Sequence, residues 1–131
     1  MDEAPAARTV LIVEDDPFIA ELLRWIVISQ PGYCVVVAAT GAGAWAVVTS
    51  QVVDLVLLDL RLPDGDGLGV LDQIRADPQT AALPVLLLTG RADDPRLRDR
   101  AVPVLVKPFE PQAVLGFVRA LCPPAGPAGA P

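Results

Sequence analysis

Polar side chains that could take part in chemistry follow four of the five short apolar runs in this sequence. The acidic triplet Glu14–Asp16 comes after the first run, and Asp59 comes after the third. Thr89 follows the fourth run and Lys107 follows the fifth. Each residue alone has an ordinary structural explanation, such as a helix cap, a turn or a solvated strand end. Their shared position after apolar runs makes a common site the stronger hypothesis.

This set of side chains has the composition of a phosphoryl-transfer site. Clustered carboxylates repel one another and are hard to keep ionised without a cation. Mg²⁺ is commonly held by one or two carboxylates together with phosphate oxygens. A further carboxylate can attack phosphorus and form an aspartyl phosphate, while an ammonium group neutralises charge and a hydroxyl hydrogen-bonds a phosphoryl oxygen. We therefore expect Mg²⁺-dependent phosphoryl transfer.

The amino-acid composition excludes several other kinds of site. The chain has no histidine, so it can contain neither a Ser-His-Asp triad nor a His-ligated zinc, and it cannot itself carry a phosphohistidine. Its two cysteines, Cys34 and Cys122, fit no CxxC or metal-binding spacing and are predicted to be free thiols. Cys34 lies in an apolar run, which predicts a buried position in the core.

Charge and hydropathy suggest which partners to expect. The net charge of −6 argues against nucleic acid as a partner, because phosphate backbones attract basic surfaces. No apolar run approaches the roughly 20 residues that span a bilayer, so no membrane partner is expected. The first residues, Met1–Pro5, lack the basic and apolar regions of a secretory signal. These features favour a cytoplasmic protein.

Short apolar runs alternate with amphipathic stretches along the chain. The runs are rich in Val and Leu without strict alternation, which predicts strands buried on both faces of a parallel sheet. They are Thr9–Val13, Cys34–Ala38, Leu55–Leu58, Val85–Leu88 and Val102–Val106. The five predicted helices are Pro17–Ser29, Thr40–Ser50, the stretch between Asp66 and Asp77, a short polar one near Asp94–Arg100, and Pro111–Leu121. This alternation predicts an α/β fold.

Composition also predicts the domain organisation. A chain with 53% hydrophobic and 20% charged residues can bury a core, and its length suits one domain. We place that domain at residues 8–122, after a flexible arm at 1–7. The tail at 123–131 consists only of Pro, Ala and Gly and is predicted to be disordered.

Four stretches, taken together and in order, resemble the receiver domain of two-component response regulators. They are Val10–Asp16, Leu57–Gly67, Pro84–Gly90 and Val106–Phe109, and the resemblance extends over about Arg8–Leu121. It implies a flavodoxin-like, doubly wound, five-stranded parallel sheet in the order 2-1-3-4-5, with the ligand site where strand order reverses. It also implies a histidine kinase or histidine phosphotransfer protein as partner.

The resemblance assigns a role to each candidate site residue. Asp59 would be the phosphoryl acceptor and one of the metal ligands. Asp15 would bind Mg²⁺ directly, Glu14 mostly through water, and Arg61 through its backbone carbonyl.

The remaining roles concern the phosphoryl group itself. Thr89 and Lys107 would contact it, and the Lys107–Pro108 peptide would be cis. The chain would catalyse only its own phosphorylation and dephosphorylation and would not be an enzyme towards other substrates.

Three features depart from the usual family pattern. Val104 stands where relatives usually carry an aromatic residue on strand five that rotates inward on activation. The segment from Thr89 to Lys107 is shorter than is typical, so the fourth helix is expected to be short or irregular. No output domain follows within this sequence, and the oligomeric state is left open.

Two alternatives share parts of this pattern. A non-catalytic, receiver-like interaction module would have the same fold, but such modules usually lose one of the acids or the lysine, and all are present here. A phosphatase of the aspartyl-phosphate class would need a second aspartate two residues after the nucleophile. Arg61 occupies that position.

Overall fold

A five-stranded parallel sheet forms the centre of the computed structural model, which describes residues 7–124. Its strands are β1 (Arg8–Val13), β2 (Tyr33–Ala38), β3 (Leu55–Asp59), β6 (Val85–Thr89) and β7 (Val104–Val106). A separate antiparallel hairpin, formed by β4 (Arg61–Leu62) and β5 (Gly65–Asp66), follows β3. The order across the sheet is β2-β1-β3-β6-β7. Counted among the five main strands, this is the predicted order 2-1-3-4-5, and the flavodoxin-like fold is confirmed.

Four α-helices cover the two faces of the sheet. They are α1 (Pro17–Ile28), α2 (Gly41–Ser50), α3 (Gly67–Ala76) and α4 (Pro111–Leu121). The fourth of the five predicted helices is reduced to a single 3₁₀ turn at Pro95–Leu97, none of whose residues is buried. Leu97 is the one large apolar side chain of this turn, and it packs only at the margin of the core, so little compensates the cost of forming a longer helix.

The core has two halves, one on each face of the sheet. On one face, Leu23 of α1 and Val114 of α4 pack against β1, β3 and β6. On the other face, Val48 of α2 and Ile74 of α3 pack against alternate residues of the same strands. All five residues of both β3 and β6 are buried, as predicted for central parallel strands.

The prediction of strands buried on both faces is wrong for the two edge strands, which are β7, where only Leu105 is buried, and β2. This strand lies at the edge of the sheet, and only its end residues, Tyr33 and Ala38, are buried. Cys34 is exposed and not a core residue. The apolar run looks alike in an edge and a central strand, because only the presence of a neighbouring strand distinguishes the two.

Two expectations concern the ends of the chain and membranes. The predicted arm at 1–7 and tail at 123–131 fall, apart from Ala7, Pro123 and Pro124, outside the described residues. Within residues 7–124 the longest helix has 12 residues, and none could cross a bilayer.

Candidate functional site

The predicted acids meet at the carboxyl ends of β1 and β3. These strands are neighbours, and Val13 pairs with Leu58, so the residues that follow lie side by side. Glu14 and Asp59 are almost completely buried, whereas Asp15 is exposed. One carboxylate oxygen from each of the three lies within 4.8 Å of the others. The sheet order therefore brings together acids that are 45 residues apart.

Lys107 completes this cluster from β7, two strands away from β3. Its Nζ donates to Glu14 Oε1 at 3.0 Å and to Asp59 Oδ2 at 2.9 Å. The Lys107 amide donates to the carbonyl of Thr89 at 2.7 Å, which anchors the residue at the sheet edge. The Lys107–Pro108 peptide is cis, as predicted. One ammonium group thus donates hydrogen bonds to two buried carboxylates.

Burial and crowding separate the pKa values of the two buried carboxyls. Burial is the largest influence on Glu14 and, with the hydrogen bond to Asp59, it raises the pKa of Glu14 to about 7. Burial acts on Asp59 in the same direction, but hydrogen bonds outweigh it and lower the pKa of Asp59. Those bonds come from Glu14, the Arg61 amide and Lys107. At neutral pH Asp59 is therefore the ionised member of the pair. Glu14 holds its proton more tightly, because its surroundings do not supply enough positive charge for a second carboxylate.

The neighbouring acids Asp15 and Asp16 do different things. Asp16 is the N-cap of α1, and its Oδ1 accepts from the amides of Phe18 at 2.9 Å and Ile19 at 3.4 Å. Asp15 belongs to the acidic cluster with Glu14 and Asp59. Asp16 therefore acts as a helix cap, and Asp15 is left available for a ligand.

Arg61 lies beside the acceptor through its backbone. Its amide donates to Asp59 Oδ1 at 3.0 Å, and the residue lines an open cleft together with Glu14, Asp15 and Lys107. The guanidinium is exposed. The cleft therefore contains the carboxylate oxygens of Glu14, Asp15 and Asp59, with the Arg61 backbone beside them. Hard oxygen ligands of this kind fit a divalent cation.

Thr89 reaches the same sheet edge but does not join the carboxylates. Its hydroxyl accepts from the Arg91 amide at 3.0 Å and donates to the Arg91 carbonyl at 3.2 Å. It lines a neighbouring cavity that also contains Gly90 and Arg96. The structure therefore brings together Glu14, Asp15, Asp59, Arg61 and Lys107, and it leaves the threonine hydroxyl bonded to its own loop.

The sequence reasoning missed two acids that hold the surrounding loops. Asp64 accepts two hydrogen bonds from the start of α2, and Asp66 caps α3 and forms an ion pair with Arg96. Both lie in a stretch whose Asp, Pro and Gly content indicates turns. The start of a helix at Asp66 is marked by the local sequence, but its partner Arg96 and the partners of Asp64 are 22 to 30 positions away, and nothing in the local pattern marks those contacts.

Comparison with known proteins gives a consistent result. A family model described as the response regulator receiver domain matches residues 10–119. The DNA-binding dual master transcriptional regulator RpaA of Synechocystis is 39% identical over 119 residues, which are 86% of this chain and 48% of the relative. The DNA-binding response regulator MtrA of Mycolicibacterium smegmatis is 36% identical over 86% of this chain and 50% of the relative. The chain therefore spans about half the length of these curated relatives.

Solved structures resemble the chain over nearly their whole length. The receiver domain of sensor histidine kinase PA1611 from Pseudomonas aeruginosa, crystallised with a magnesium ion in its active-site cleft, has a TM-score of 0.80 at 28% identity. The match covers 88% of this chain and 98% of that one. The chemotaxis response regulator CheY4 of Vibrio cholerae has a TM-score of 0.80 at 26% identity, over 88% and 99% of the two chains.

The expectation that nucleic acid is not a partner is contradicted by these relatives. RpaA and MtrA are DNA-binding regulators. A net charge of −6 describes this chain alone, whereas the chain covers only about half of each regulator. A charge count over part of a protein does not decide what the whole protein binds.

Proposed function

The chain belongs to the response regulator receiver domain family, and we propose that it accepts a phosphoryl group on Asp59 from a phosphohistidine donor in a Mg²⁺-dependent reaction. The observation that carries this proposal is the set of contacts around Asp59. Lys107 Nζ lies 2.9 Å from one carboxylate oxygen and the Arg61 amide 3.0 Å from the other, beside two further acids.

The chemistry proposed for Asp59 follows from its charge and position. Its lowered pKa keeps the carboxylate ionised at neutral pH, as a nucleophile must be. A carboxylate oxygen forms the new bond to phosphorus as the phosphorus–nitrogen bond of the donor breaks. The electron pair of that bond returns to the donor imidazole, whose other ring nitrogen carries a proton, so the ring leaves as neutral histidine. The product is an aspartyl phosphate.

Positive charge at this site comes from two sources. Asp15, Glu14, Asp59 and the Arg61 carbonyl would hold Mg²⁺, which supplies charge neutralisation to the phosphoryl oxygens when it is bound. Lys107 already points into the cleft and can shift from a carboxylate to a phosphoryl oxygen without moving far. Thr89 can exchange its bonds to the Arg91 backbone for a bond to the same group.

The surface of α1 supports a protein as the phosphoryl donor. Phe18 is 85% exposed, Trp25 is 64% exposed and Leu22 is 51% exposed, and they recur at helical spacing on one side of α1. The apolar residues beside Trp25 in the sequence favour a core or half-buried position, but its side chain is exposed. Large apolar side chains that share an exposed helix face commonly mark an interaction surface. Ile19, on the same helix, lines the acidic cleft itself.

The proposal extends to the place of the chain in signalling. It acts as a phosphorylation-controlled module, whether free-standing, part of a hybrid kinase or part of a longer regulator. It catalyses its own phosphorylation and dephosphorylation only, and it works in the cytoplasm. Such a module needs no substrate pocket, because its reactive group stands in an open cleft.

Intact-mass measurement after incubation with acetyl phosphate, with and without Mg²⁺, tests the proposal. We expect the wild type to gain one phosphoryl group when Mg²⁺ is present and Asp59→Asn to gain none. Asp15→Ala should be labelled far more slowly, whereas Asp16→Asn, which keeps an oxygen for the N-cap, should match the wild type. Undiminished labelling of Asp59→Asn would refute the acceptor. A folded wild type that is never labelled would favour the non-catalytic interaction module.

A further inference from the structure

Asp64 joins the tip of the β4–β5 hairpin to the beginning of α2. Its Oδ1 accepts from the Gly41 amide at 2.8 Å, and its Oδ2 accepts from the Ala42 amide at 3.0 Å. These amides are among the four at a helix N-terminus that have no partner within the helix. The hydroxyl of Thr40, the N-cap, accepts from the Gly43 amide at 2.9 Å. The amides of Gly41 and Ala42 thus donate to a side chain more than 20 residues away in the sequence.

The contact is favourable for a carboxylate in particular. Hydrogen bonds from the Ala42 and Gly41 amides lower the pKa of Asp64, so the group is ionised at neutral pH. A negative charge at a helix N-terminus also interacts favourably with the helix dipole. Gly41 allows the close approach, because a β-carbon there would lie 2.9 Å from Val70 Cγ2 and 3.4 Å from Asp64 Oδ1.

The hairpin that Asp64 anchors leads directly to the acceptor. Pro63 and Asp64 form the two-residue turn, and Gly65 after it has a φ of +147°, which favours glycine. The strands have two residues each, with Arg61 opposite Asp66. The Arg61 amide then donates to Asp59 at 3.0 Å. So short a hairpin is not stable alone and depends on its attachments.

We propose that Asp64 is a positioning residue for the cation site, because it fixes the hairpin on α2 and thereby holds the Arg61 backbone beside Asp59. The inference rests on the proposed function for its cation but not on phosphorylation. Asp64 itself contacts no ligand. Its effect passes through the hairpin, in the way that groups behind metal ligands fix ligand orientation.

Two measurements on the same variants test this inference. Metal-free wild type, Asp64→Ala, Asp64→Asn and the control Asp72→Ala are titrated with Mg²⁺ by calorimetry, and amide exchange at residues 61–66 is followed without metal. Asp72 is an exposed acid on α3 that pairs with Arg100, so its removal changes the net charge equally but leaves the hairpin untouched.

We expect Asp64→Ala to exchange faster throughout the hairpin and to bind Mg²⁺ about 10-fold more weakly. Asp64→Asn keeps one acceptor oxygen and should show a smaller effect, and Asp72→Ala should resemble the wild type. An Asp64→Ala protein that melts earlier yet binds Mg²⁺ with wild-type affinity would overturn this inference alone. A wild type that binds no Mg²⁺ would overturn the proposed cation site together with it.

Discussion

At the scale of single residues, the main feature is an imbalance of charge at the end of β1. Glu14 and Asp59 are both buried, and Lys107 bonds to both. One ammonium group cannot balance the charge of two carboxylates that are buried away from water. The pKa of Glu14 is therefore raised and that of Asp59 is lowered. A bound cation relieves this imbalance, as does protonation of Glu14.

The raised pKa of Glu14 predicts how stability depends on pH without metal. In the unfolded chain Glu14 releases its proton near its ordinary value of 4.5, whereas in the fold it does so at about 7. Between these values the folded state binds the proton more tightly, so stability is lost as pH rises through this window. The melting temperature in EDTA should therefore fall between pH 5 and pH 7.5, and Mg²⁺ should reduce the fall.

The matched control for this prediction is Glu14→Gln, which cannot titrate. Its melting temperature should be nearly constant over the same range. The acids with lowered pKa values, such as Asp59 and Asp64, lose their contribution only at lower pH and do not act in this window. A wild-type melting temperature that is constant or rises from pH 5 to 7.5 would contradict the assignment.

At the scale of elements, the start of α3 is pressed against the end of β3. The Gly67 amide donates to the Leu60 carbonyl at 2.8 Å. A β-carbon at Gly67 would overlap the Asp59 carbonyl oxygen and lie 2.9 Å from Leu60 Cα. These neighbours are backbone atoms, which cannot move aside without displacing the acceptor. Two helical positions further on, a β-carbon at Gly69 would meet nothing within 4 Å beyond the adjacent backbone of its own helix.

Two alanine substitutions on α3 should therefore have opposite effects. Gly67→Ala should lower the free energy of unfolding by about 1–3 kcal/mol, because an added group is forced into packed backbone. Gly69→Ala should raise it by about 0.5–1 kcal/mol, because alanine loses less entropy than glycine in a helix. Urea denaturation of both variants measures the difference. Similar effects in the two would show that the approach of α3 to β3 is not tight.

The connection between β6 and β7 is held differently from the other crossovers. In place of a packed helix, Arg96 forms ion pairs with Asp94 and Asp66, and Arg100 forms one with Asp72. These ion pairs are largely exposed, and such pairs contribute little stability. Apart from Leu97 and Val102, which pack at the margin of the core, the segment is attached to α3 through its charged side chains and has few buried contacts to resist rearrangement.

At the scale of the whole molecule, this weak attachment limits how far a phosphorylation signal should spread. Thr89 begins the loosely held segment, and its hydroxyl must leave Arg91 to meet a phosphoryl oxygen. On β7, Val104 packs at the margin of the core half that also contains α3, and it lacks the bulk of the aromatic ring that relatives use. Helix α4 packs in the opposite half of the core, where its Val114 and Val118 are fully buried.

We therefore expect phosphorylation to change amide exchange chiefly from Gly90 to Arg96. The experiment compares the protein with and without beryllofluoride, which imitates the phosphoryl group, and Asp59→Asn serves as the control that should not respond. Exchange across Val114–Leu121 should be unaltered. Strong new protection there, equal to that of the Gly90–Arg96 loop, would show that a long-range switch operates without an aromatic residue.

Local sequence determined much of this protein. The apolar runs predicted all five strands of the main sheet, and Asp16 and Asp66 marked helix starts that the structure has. The acids, Thr89 and Lys107 were identified because each directly follows an apolar run in the sequence. In a parallel sheet, such positions come to one edge whatever the details of packing. Strand order came from the family resemblance.

Only the tertiary structure decided which side chains are covered and which loops are joined. Cys34 is exposed because β2 has no neighbour beyond it, and Trp25 is exposed because the core side of α1 is filled by residues such as Leu23. Asp64 meets Gly41 because the sheet sets α2 and α3 on the same face. These outcomes depend on groups distant in sequence, and a local pattern carries no information about them.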